Sequence, residues 1–108
     1  MRLDAMRVTG DLNKKVSRVG LPWGGLGLSI NACFISRMLD YGVDALIAGE
    51  TDEYSMFAAA DSGVALIETS HTLSENPGLS HFAKILKKEF PELKIIFFSC
   101  PRPWEFLS

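Results

Sequence analysis

The chain has 108 residues, 47% of them hydrophobic and 22% charged, and a formal net charge of -2, the profile of one soluble globular domain with a modest core. Eleven Lys and Arg against thirteen Asp and Glu leave no basic excess to neutralise phosphates, which argues against a nucleic-acid partner. No apolar run approaches the roughly 20 residues of a membrane span, so no membrane partner is expected.

Met1 to Lys15 matches no core pattern and reads as an N-terminal arm, with residues 16–108 as the α/β domain. Arg2, Asp4, Arg7 and Asp11 interrupt its apolar residues, so it lacks the apolar centre of a secretory signal, and a cytoplasmic location is the expectation. Val16 to Leu21 is a short strand that runs into Pro22-Trp23-Gly24-Gly25-Leu26-Gly27, too rich in glycine for regular structure. The next helix is capped by Ser29, carries Ile30, Phe34, Met38 and Tyr41 at helical spacing, and stops at Gly42.

Ala45 to Gly49 reads as a buried strand, since it shows no polar face. It delivers Glu50, and Thr51 is placed to cap a helix with Asp52 and Glu53 in its first turn, ending at Gly63. Val64 to Thr69 is a third strand leading into Ser70-His71-Thr72-Leu73-Ser74-Glu75. Asn76 and Pro77 then start a helix with Leu79, Phe82, Ala83, Leu86 and Phe90 on one face, and Pro91 stops it. Lys94 to Ser99 gives the last strand, before a Pro-rich exit. The fold class is therefore α/β: a single layered domain with a small, mostly parallel or mixed four-stranded sheet flanked by helices. Cys33 and Cys100 lie far apart without CxxC spacing and read as reduced, partly buried thiols.

In such a sheet ligands bind beyond the strand C-terminal ends. His71 and Glu75 head the candidates there, because neutral imidazole with carboxylate suits Zn, Mn or Fe, and a four-residue separation lets both converge on one divalent ion. The plainer reading has His71 capping a strand end and Glu75 favouring a helix N-terminus. Gly24, Gly25 and Gly27 offer bare backbone N–H groups to a phosphate or small ligand, or make a tight strand-to-helix turn; their spacing matches neither the dinucleotide fingerprint nor a P-loop. Glu50 reads as a ligand, a general base, or a carboxylate bonding the unpaired N–H groups of the helix it precedes. His81 falls off the apolar helix face and reads as solvated. Cys100 has no neighbouring His to activate it.

Three segments in order, Asp44-Ala-Leu-Ile-Ala-Gly-Glu50, Gly63-Val-Ala-Leu-Ile-Glu-Thr-Ser-His71 and Ser74-Glu75-Asn-Pro-Gly-Leu79, resemble the second half of the NGG-interacting-factor-three-like family, also called GTP cyclohydrolase I type 2 homologues. The resemblance runs from about Val16 to Ser99. It implies an α/β unit used twice in a full-length chain, subunits in a ring-shaped hexamer, and dinuclear metal sites of a hydrolase type. His71 and Glu75 match the family's C-terminal ligands, and Gly49-Glu50 its Gly-Glu segment beside the site. Full-length members carry a second ligand set, two adjacent histidines and an aspartate, and no His-His pair exists in this sequence. Two functions are thus expected to compete: a metal-binding half-site of a hydrolase, with Glu50 as base or orienting carboxylate, and a non-catalytic homo-oligomeric scaffold using the aromatic segment Pro101 to Phe106.

Overall fold

The computed structural model describes residues 5–22, 32–101 and 103–104. They divide into two compact units, Met1–His71 and Thr72–Ser108. The first unit holds the sheet: β1 (Arg7–Thr9), β2 (Val19–Gly20), the helix α1 (Ala32–Asp40), β3 (Ala45–Ala48), the helix α2 (Glu53–Asp61) and β4 (Ala65–Glu68). The strand order is β1-β4-β3-β2. β2, β3 and β4 run parallel, and β1 closes the edge antiparallel to β4. This is the mixed four-stranded α/β sheet expected from the sequence, with one edge strand that differs.

β1 comes from the stretch read as an arm. It pairs Arg7 with Glu68, Val8 with Ile67 and Thr9 with Leu66, so an opposite-charge pair and an aliphatic pair set its register. By contrast, residues 94–99, read as the last strand, form no ladder. The apolar run Ile95 to Phe98 reads as a strand more readily than Arg7-Val8-Thr9 does, but the pairing partner decides which segment joins the sheet.

Side chains paired across a sheet share a face. Leu46 opposite Leu66 therefore points both leucines to one side, where they are fully buried. Ile35 of α1, Ala59 of α2, Val43, Ala48 and Val64 complete that core, with Phe34, Met38, Leu39 and Met56 packed against it. Gly20 lies on the same face, and a Cβ there would come within 2.7 Å of Leu46 Cδ2 and 3.3 Å of Met38 Sδ.

Gly42 and Gly63 both have positive φ, 65° and 68°, and end α1 and α2 as their type suggests. The cap of α2 is one residue later than expected. Asp52, extended at φ -103°, accepts from Ser55 N at 2.8 Å, while Thr51 is buried and held otherwise. Both residue types can cap, and the carboxylate adds the dipole attraction that a hydroxyl lacks. The expected Ser29 cap lies outside the described residues.

The helix α3 (His71–Glu89) begins five residues before Asn76, so Pro77 sits inside it. The expectation of a start at Pro77 rested on the preference of proline for a first turn. Instead the chain turns at Ser70, which has φ 75°, and the helix forgoes the bond that an N–H at position 77 would donate to Leu73. From Thr72 onward this helix belongs to the second unit. There Asn76 Nδ2 donates to the Cys100 carbonyl at 2.8 Å and Cys100 N donates to Asn76 Oδ1 at 3.4 Å.

No residue of α3 is buried: Leu79, Phe82 and Phe90 are exposed, while Ala83 and Leu86 are half-covered. The face read as core-directed is thus largely open, since one helix and an extended run offer little surface to cover it. Cys33 and Cys100 form no disulfide and are exposed rather than partly buried. Among the described residues no helix is long and apolar enough to cross a membrane.

Two stability tests follow from this packing. Gly20→Ala forces a Cβ into the Leu46 side chain and is expected to cost about 1–3 kcal/mol, read by denaturant unfolding. Asp44 Oδ2 accepts from Ser17 N and Arg18 N, both at 2.9 Å, and these bonds hold its pKa below the ordinary carboxylate value of 3.8. Because the folded value is the lower one, the stabilisation is complete above the ordinary value and is lost as pH falls through the folded value. Asp44→Asn should therefore melt lower than the parent at neutral pH and lose less on further acidification, as thermal melts from about pH 5 to about pH 2 would record.

Candidate functional site

Parallel β3 and β4 end on the same sheet edge, and antiparallel β1 brings its first residue, Arg7, to that edge. β3 delivers Gly49, Glu50 and Thr51. β4 delivers Glu68 and then Thr69, Ser70 and His71. Two residues with their backbone bound stand between these ends. Thr69 donates to the Ala48 carbonyl through its N at 2.9 Å and its Oγ1 at 3.1 Å. Thr51 N donates to Glu68 Oε2 at 2.8 Å.

Arg7 completes the edge. Its Nε donates to Glu68 Oε1 at 3.0 Å, its Nη2 pairs with Glu68 Oε2, and Nη2 also donates to the Thr51 carbonyl at 2.6 Å. The Glu68 side chain is only 10% exposed, so its charge needs this bidentate partner. The hydrogen bond to Glu68, aided by the field of Glu68 and Glu53 against a desolvation cost, raises the Arg7 pKa above its ordinary value. Neither Arg7 nor Glu68 stood out in the sequence. The usable signal was an opposite-charge pair across strands, and it is visible only once residue 7 is known to lie beside residue 68.

Beside this edge His71 Nδ1 lies 3.3 Å from Glu50 Oε1, with the side chains 47% and 51% exposed. The structure thus brings together two of the residues singled out by sequence. An exposed pair of this kind is worth only about 0–1 kcal/mol. Its use is orientation: a carboxylate on Nδ1 favours the proton there and makes Nε2 the acceptor nitrogen of the ring.

Glu75 follows four residues after His71 in the sequence of α3 and belongs to the second unit. His81 is exposed on the same helix. Gly24, Gly25 and Gly27 lie outside the described residues. Among the described residues no group of three or more His, Cys, Asp or Glu side chains gathers as a metal site. The donors present suit a divalent cation in kind, imidazole and carboxylate, but their number fits only an open site that others must complete.

Residues 1–103 match the model of the Duf34/NIF3 (NGG1p interacting factor 3) family. The chain belongs to this family. The chain is similar to the GTP cyclohydrolase 1 type 2 homolog of Pseudomonas aeruginosa, 30% identical over 65% of the chain and 27% of the relative. A second relative of the same name, from Buchnera aphidicola, is 27% identical over 65% of the chain and 28% of its own length.

Among solved structures, a Bacillus cereus protein related to NIF3 superposes with a TM-score of 0.76 at 19% identity, covering 97% of this chain and 29% of that one. Protein ybgI, of unknown function, gives a TM-score of 0.73 at 28% identity over 92% of this chain and 38% of its own. These likenesses establish the NIF3 fold. The chain spans little more than a quarter of the length of the curated relatives it matches.

The turn that sets His71 in place carries its own test. Ser70 is buried at a φ of 75°, a region that β-branched side chains avoid. Ser70→Val is expected to lie about 1–2 kcal/mol below Ser70→Gly in unfolding free energy; equal stabilities would mean the turn relaxes to another conformation.

Proposed function

We propose that this chain carries half of a divalent-metal site of a NIF3-type hydrolase, with His71 and Glu75 as its ligands and Glu50 as the carboxylate that orients His71. The contact of 3.3 Å between Glu50 Oε1 and His71 Nδ1 carries this reading, because metal-binding histidines characteristically give their second ring nitrogen to a carboxylate. His71 would offer Nε2, and Glu75, four residues on in the sequence, a carboxylate oxygen. Zn, Mn and Fe all accept this donor set.

A divalent ion held by His71 and Glu75 would supply Lewis-acid chemistry, lowering the pKa of a bound water and polarising a substrate oxygen. Glu50, half-exposed at the mouth of the strand edge, keeps the imidazole in its binding tautomer and is also placed to take a proton from solvent. The family name of the Pseudomonas and Buchnera relatives, GTP cyclohydrolase 1 type 2 homolog, supports hydrolysis of a nucleotide-like substrate as the reaction class. Two protein ligands leave positions open, so the remaining donors come from other chain segments or from another subunit. A homo-oligomer, ring-like by resemblance, and a cytoplasmic location belong to the same reading.

The exposure of Leu79, Phe82 and Phe90 on α3 favours a second reading, an assembly module that docks through this helix without catalysis. Metal titration separates the two. Calorimetry with zinc is expected to show binding by the parent protein, loss of at least about tenfold in affinity in His71→Ala, and a loss of about 10–100-fold in Glu50→Gln. Unchanged affinity in His71→Ala would reject the metal reading and leave assembly as the function.

A further inference from the structure

We infer that Arg7 and Glu68 act as a positioning clamp for the Glu50–His71 pair, so that the edge strand β1 shapes the site without entering it. The observation behind this is that both backbone polar groups of Thr51 are taken by these two side chains. Thr51 N donates to Glu68 Oε2 at 2.8 Å, and the Thr51 carbonyl accepts from Arg7 Nη2 at 2.6 Å. Thr51 directly follows Glu50, so binding it on both sides fixes the direction in which Glu50 leaves the end of β3. Glu68 is three residues before His71, and the segment between is tied to the Ala48 carbonyl by Thr69 N at 2.9 Å and Thr69 Oγ1 at 3.1 Å. Each member of the pair therefore hangs within a few residues of one shared network.

The pair does not hold itself in place. Both side chains are about half-exposed and meet at 3.3 Å, where solvent competes for every bond. The clamp differs in kind: Glu68 is nearly covered, accepts from Arg7 Nε at 3.0 Å and is bonded by Nη2 as well. A planar guanidinium can face a carboxylate and a carbonyl together in this way, whereas an ammonium group offers a point charge with no fixed fork. The function of Arg7 is thus sensitive to its shape and not only to its charge. Its consequence for metal affinity rests on the metal-site reading above; the positioning itself does not.

The test uses the full chain without metal and reads the tautomer of the His71 ring by long-range proton–nitrogen NMR. In the parent protein the neutral ring is expected to carry its proton on Nδ1, facing Glu50. Arg7→Lys, which keeps the charge, is expected to move the population toward the Nε2–H form that an unconstrained imidazole favours, and Glu68→Gln to do the same. Val8→Ala weakens β1 through its pairing with Ile67 and should lower the melting temperature while leaving the tautomer in place.

An unchanged tautomer in Arg7→Lys, an equal shift in Val8→Ala, or no Nδ1–H preference in the parent would each overturn the clamp. If Arg7→Lys fails to fold, Glu68→Gln decides by the same readout. A parallel zinc titration should show about tenfold weaker binding in Arg7→Lys. Absence of zinc binding by the parent would discard the metal reading, while the tautomer would still decide the clamp.

Discussion

The parallel pairing of β3 with β4 is the constraint on which the first unit depends. Its register sets Leu46 against Leu66 and Ala48 against Glu68. Because side chains alternate between faces, a slip of β4 by one residue would turn Leu66 away from α1 and α2 and bring Ile67 to the core face opposite Leu46. The same slip would separate Glu68 from Thr51 and shift His71 relative to Glu50. Core packing and site geometry are therefore two results of one registration.

Small side chains make that registration possible in so short a sheet. Among the described residues only Leu46 and Leu66 are large and fully buried, while Ile35, Val43, Val64 and the small Ala45, Ala48, Ala59 and Ala65 fill the other covered apolar positions. Full burial of a leucine contributes about 1.5–3 kcal/mol, so this core is modest, and polar ties at the loops carry a correspondingly larger share of the order. Asp44 gathers two backbone N–H groups of the segment entering β2. Lys14 Nζ reaches the Gly63 carbonyl at 2.8 Å, holding the stretch after β1 to the turn before β4. Gly10, at a φ of 86°, would place a Cβ 2.8 Å from Ala65 Cα, so the turn that leaves β1 needs a residue without one.

The parts of the structure legible in the sequence are those written locally. β3 and β4 are short apolar runs between turn signals, and Gly42 and Gly63 end helices because a left-handed residue is needed there. His71 and Glu50 were singled out by residue type and by their place after strands, and the parallel pairing brings them together. What was not legible depends on partners distant in sequence. Val8 resembles any isolated valine until Ile67 is beside it, and Arg7 any surface arginine until Glu68 is opposite. The start of α3 was missed for a different reason. Proline prefers a first turn, but a left-handed Ser70 had already redirected the chain six residues before Asn76.

The edge also separates charges by their surroundings, and this separation assigns their roles. Glu68, nearly covered, is committed to three donors and has little lone-pair capacity left for a ligand. Glu50, with a side chain 51% exposed, retains carboxylate capacity beyond its contact with His71. A site built with both carboxylates equally open would place two negative charges near each other with nothing to keep either in position. Pairing one with Arg7 neutralises it and makes it scaffold, and the other is left as the group that responds to what arrives from solvent. On this account the arginine of an edge strand and the histidine at a helix start are linked, because both are tied to the same C-terminal end of the β3–β4 pair.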